Sequence, residues 1–98
     1  MIKGKLTIQY NTNTEKYSVY NKPNDRSEPI YMGFIARRIN HSRSKWFIYS
    51  PTIYIPDTDT FIEAKEVFVT IILDILVGVT KVSELVSDDG NNWSITYE

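Results

Sequence analysis

The sequence predicts an α+β domain: an antiparallel sheet of about four to six strands with one long helix packed on one face. Three observations predict it. Apolar and polar residues alternate along most of the first fifty positions and again near the C-terminus; one stretch, Phe61 to Val77, repeats its apolar residues at helical spacing; and turn-forming residues separate these segments. The 98 residues, 42% hydrophobic and 23% charged, fit a single domain over 1–98. A chain of this size buries roughly two thirds of its extended surface and needs neither metal nor disulfide to fold.

Leu6, Ile8 and Tyr10 alternate with Thr7 and Gln9, Asn11 to Thr14 supply turn chemistry, and Tyr17 and Val19 resume the pattern beside Tyr20. A β-hairpin is expected. Asn21 to Pro29 reads as an exposed loop because prolines, asparagines, Asp25 and Ser27 dominate it. In a third strand, Ile30, Met32, Phe34 and Ala36 would share one face, and Tyr31, Gly33, Ile35, Arg37 and Ile39 the other. Asn40 to Ser44 turn the chain. Trp46 to Tyr49 form a fourth strand ending before Pro51, and Ile53 and Ile55 a further extended piece bounded by Pro56.

Thr60-Phe61-Ile62-Glu63 has the T-x-x-E form of a capping box, in which the threonine hydroxyl and the glutamate side chain satisfy each other's orphan backbone donors. The helix it opens should run from Phe61 to Val77 and stop at Gly78 in a left-handed conformation. Thr80 to Ser87 fit a short helix or a strand, Asp88 to Asn92 a turn, and Trp93, Ile95 and Tyr97 a last strand. The order is β-β-β-β-α-β with an extra strand after the helix left open, and a meander is its simplest arrangement.

The helix carries more apolar surface than one sheet face covers. Phe61, Ala64, Phe68, Ile71, Ile72 and Ile75 form its core stripe, and Ile62, Val69, Leu73 and Leu76 a second one, leaving Glu63, Glu66, Thr70 and Asp74 as the polar face. Two outcomes are open. The C-terminal segment, with Val82, Leu85 and Trp93, folds over the second stripe, or Ile62, Val69, Leu73 and Leu76 make a protein interface, most simply in a homodimer. Lys65 lies between the stripes, where its stem can run along apolar surface.

The near-neutral total of -1 conceals a dipolar chain. Residues 1–45 hold nine basic and three acidic residues, a balance of +6, and the remainder two and nine, a balance of -7. The sharpest basic cluster is Arg37, Arg38, His41, Arg43 and Lys45 with Trp46 beside them. That combination suits phosphate contact with base stacking, although it also fits a solvated turn, and a pI of about 5.8 lacks the basicity usual for nucleic-acid binders.

No catalytic constellation is visible. Zero cysteines exclude thiol nucleophiles, Cys-based zinc sites and disulfides, and lean towards a cytoplasmic setting. The single His41 has no partner at metal-ligand spacing, and no phosphate-cradling or nucleophile-elbow glycine motif occurs. Asp57 and Asp59 suit the positive end of the helix dipole, and Asp88-Asp89-Gly90-Asn91 lacks the downstream glutamate of a calcium loop. No signal peptide or membrane span is expected, since the most apolar run, Val67 to Val79, is interrupted by Thr70, Asp74 and Gly78.

The segment Thr58 to Glu66, following antiparallel strands, resembles the strand-to-helix step of HicB-type antitoxins and of small phage-encoded β-β-β-α proteins. The separate DNA-binding element usual in the antitoxins is not expected, since no region of the 98 residues has room for one. The resemblance implies a small non-catalytic protein that binds, and often inhibits, another macromolecule. The residues point the same way, with surplus apolar helix surface and seven tyrosines. The expectation is a cytoplasmic, non-enzymatic protein-binding module without cofactor. Nucleic-acid binding through Arg37, Arg38, His41, Arg43, Lys45 and Trp46 is the alternative.

Overall fold

In the computed structural model of the chain, the alternating segments pair into one six-stranded antiparallel sheet. The structure describes residues 4–40, 43–78, 82–87 and 92–97, and at 39–40, 43–44, 75–77 and 82–87 the backbone alone. The strands are β1 (Gly4–Asn11), β2 (Lys16–Lys22), β3 (Ile30–Asn40), β4 (Arg43–Tyr49), β5 (Val82–Ser87) and β6 (Trp93–Tyr97), in the order β4-β3-β2-β1-β6-β5. Helix α1 (Phe61–Ile71) continues through a π-helical stretch, Ile72–Val77, and Gly78 ends it at φ 77°.

Strands β1 to β4 are the expected meander. The return of the chain differs from a meander, because β6 pairs with β1, from Gly4 opposite Tyr97 to Ile8 opposite Trp93. The helix is the connection between β4 and β5: its first residue, Phe61, packs on Trp46, Tyr17 and Trp93, and Phe68 lies beside Gly33 and Tyr49.

Leu6, Ile8, Val19, Ile35, Ile48 and Ile95 face the helix and pack with Ala64, Phe68 and Ile72. The core stripe read from the sequence is thus in place for these helical residues, with Phe61 and Ile71 half-buried at its margin. The cap is also present in modified form. The Thr60 hydroxyl accepts the Glu63 N–H at 3.1 Å, but the Glu63 carboxylate takes the Thr60 hydroxyl proton rather than the backbone N–H.

Two expectations are corrected and two open readings are resolved. The extended Ile53–Ile55 piece makes no strand of the sheet; Ile55 is buried, and the following Thr58 exchanges two backbone hydrogen bonds with Trp46, at 2.7 and 3.0 Å, along the outer edge of β4. Of the two readings open for the segment after the helix, residues 82–87 take the strand. Strict alternation fails in β3, where the register against β2 shifts between Val19 and Tyr20: Val19 opposes Gly33, and Tyr20 opposes Tyr31. Met32 is the extra residue, and Gly33 absorbs the bulge at φ 132°. Tyr31 consequently shares a face with Phe34 instead of opposing it.

The second correction concerns the second apolar stripe. Leu73 is only 5% exposed and belongs to the core, whereas Ile62 is 62% exposed and Val69 half-buried. Leu73 is buried in the core although a wheel drawn at 100° per residue places it in the second stripe; it lies at the start of the π-helical stretch, where Gly78 N–H bonds back to the Leu73 carbonyl five residues earlier. The row is not one open stripe. The side chains of Leu76, Val82 and Leu85 lie outside the description, and Trp93 packs at the helix start, with the Lys65 ammonium 4.7 Å above its ring.

Candidate protein interface on the helix-free face of the sheet

Side chains alternate along a strand, so a sheet that spends one face on a helix must place its remaining residues on the other. Here that second face gathers Tyr20 from β2, Tyr31 and Phe34 from β3, and Phe47 and Tyr49 from β4. No described element covers them. Tyr31 is 45% and Tyr49 40% exposed. The rings form a pair and a trio on neighbouring strands: Tyr20 to Tyr31 at 5.7 Å, and Phe34 stacked on Tyr49 at 5.2 Å and edge-on to Phe47 at 6.0 Å. The Tyr31 hydroxyl titrates above its usual range, first from burial and then from the neighbouring Tyr20 and Tyr49. Beyond Tyr49 the chain folds back and forms an open hollow of about 340 Å³ between Phe47, Tyr49, Pro51 and Tyr54.

Cations rim the cluster. Lys16 lies 4.4 Å over the Phe34 ring and Arg38 4.2 Å over Phe47. Arg38 pairs with Asp57 at 3.5 Å, and Lys45 with Asp59 at 2.7 Å. The two aspartates ahead of the helix thus serve β3 and β4. Lys5 and Lys22 stand directly opposite each other across β1 and β2.

The basic cluster read from the sequence is divided. Arg37 and Trp46 are register partners on the helix side, where they line a cleft of about 250 Å³ with Tyr10, Glu15 and Tyr17. The Trp46 ring is held there by Phe61 at 5.1 Å and Tyr17 at 6.3 Å, on the face opposite Arg38 and Lys45. Arg38 and Lys45 are partners on the opposite face. His41 lies outside the described residues, as does the side chain of Arg43.

Sequence reasoning missed Phe34, Phe47 and Lys16 as site residues. The signal available was Gly33 inside an otherwise apolar strand, which marks a bulge and so a change of face. Among the described residues no group of three or more His, Asp or Glu side chains is placed to hold a metal ion. No described helix is long and apolar enough to cross a membrane. Comparison of the chain with family models, curated proteins and solved structures gives no match.

Proposed function

We propose that this chain is a non-catalytic protein-binding module, and that it binds through the helix-free face of its sheet. The observation that carries the reading is the aromatic cluster of Tyr20, Tyr31, Phe34, Phe47 and Tyr49 on three neighbouring strands, partly open to solvent and with no described element over it. Uncovered tyrosines give large contact area at low entropy cost, and a rim of charge around an aromatic centre is the usual anatomy of an interface. The hollow beside Tyr49 suits an apolar side chain of the partner. By its strand-to-helix resemblance the chain would be an inhibitor or accessory protein of the phage-encoded kind, acting by covering its target's surface.

The test is a differential capture from the native host. A Tyr31→Ser/Tyr49→Ser variant should fold and lose a protein that the unmodified chain retains, while Ile62→Ser on the exposed helix surface retains it. The reverse pattern moves the interface to the helix and overturns the assignment.

A further inference from the structure

Building on the proposed protein interface, we infer that its partner is an acidic polypeptide segment, and that one of its carboxylates docks between Lys5 and Lys22. Like charges directly opposite on neighbouring strands repel, yet the register puts these two lysines face to face, with Thr96 as the other neighbour of Lys5. Among the described residues no carboxylate approaches either one. The contrast with the β4 side is direct: there Arg38 and Lys45 meet Asp57 and Asp59 from the chain itself. On this face β1 to β4 contribute five cations, Lys5, Lys16, Lys22, Arg38 and Lys45, and no acidic residue, while Glu84 of β5 stands in the row of Lys22 and Lys5, beyond Thr96. The cations with no described carboxylate beside them therefore lie on β1 and β2.

Lys16 and Lys22 bracket β2, six residues or about 20 Å apart. An extended segment of about six residues matches that span, with carboxylates towards β1 and β2 and an apolar residue over Phe34 and Tyr49. A polypeptide suits the surface better than a nucleic acid. Evenly spaced phosphates crossing the sheet would have to pass the Asp57 and Asp59 carboxylates at the β4 rim, whereas a polypeptide can place carboxylates at β1 and β2 and an apolar residue at β4.

Three probes separate the outcomes on the full chain: a random glutamate–tyrosine copolymer, a lysine–tyrosine copolymer and an oligodeoxythymidine, each titrated at low and high salt. The glutamate–tyrosine copolymer should bind best and lose affinity with salt, and Lys5→Gln/Lys22→Gln should weaken it roughly tenfold, the scale of two charge-assisted contacts near the surface. Both lysines are solvent-accessible, so the variant keeps its fold. If the lysine variant binds like the unmodified chain while Tyr31→Ser/Tyr49→Ser loses the copolymer, the carboxylate site is wrong and the aromatic interface stands. If neither variant changes binding, both fall. Tighter binding of oligodeoxythymidine that depends on Lys5 and Lys22 overturns the inference in favour of a nucleic acid.

Discussion

The phenolic hydroxyl of Tyr97 donates to the side-chain carbonyl of Asn21, although β1 lies between their strands. The ring crosses β1 above Gly4, its register partner, where a Cβ would overlap the ring atoms. Both polar partners are buried, so three neighbouring strands are fastened by one hydrogen bond that only a glycine on the middle strand permits.

Tyr97→Phe leaves the Asn21 oxygen buried without a donor and should cost about 1–3 kcal/mol in urea unfolding. Gly4→Ala should cost at least as much by displacing the ring. A Gly4→Ala protein of unchanged stability would contradict the crossing.

Gly33 joins the bulge to the helix. A Cβ there would overlap the Tyr49 carbonyl oxygen and meet Phe68 Cζ at 2.9 Å, at a φ of 132° that side chains rarely adopt. Gly33→Ala should lose about 3 kcal/mol or more. Wild-type thermal unfolding of this variant would argue against the β3 register.

Leu73 distinguishes core from interface. Because it is buried against the sheet, Leu73→Glu places a carboxylate in the core and should unfold the chain, at a cost above roughly 3 kcal/mol. Circular dichroism with light scattering checks this. A folded monomer derived from a dimeric parent would restore Leu73 to a subunit interface.

Stability should fall in alkali. Burial raises the phenols of Tyr17, Tyr31 and Tyr97, with Tyr10 adding to the first and the Asn21 hydrogen bond opposing the third. Above the unfolded tyrosine value of about 10, the folded chain holds more protons than the unfolded one, so unfolding becomes easier as pH rises. Urea midpoints should be level from neutral pH to about 9 as far as these groups are concerned, then decline, less steeply in Tyr97→Phe. A midpoint rising through this range would contradict the sign.

Local chemistry was the legible part of this fold. Leu6, Ile8 and Val19 announce a half-buried hairpin by alternation, Thr60 and Glu63 announce the helix start, and Gly78 its end, because each depends on residues within a turn or two. The position of β6 beside β1 was not legible, since it rests on a pairing between Gly4 and Tyr97 at opposite ends of the chain. Leu73 went astray because its burial rests on long-range packing in the core, which helical periodicity alone does not report. The candidate site was only half legible. Arg37 and Arg38 look like one basic patch in sequence, yet adjacent residues of a strand point to opposite faces, and the aromatic cluster depends on a bulge that shifts Tyr31 by one position.

Binding by the helix-free face is open to direct measurement, by mapping amide shifts of the labelled chain against a purified partner protein. Shifts should concentrate at Tyr20, Tyr31, Phe34, Phe47 and Tyr49 and extend to Lys5 and Lys22. Shifts confined to Ile62, Val67 and their helical neighbours, with the sheet face unmoved, would contradict it.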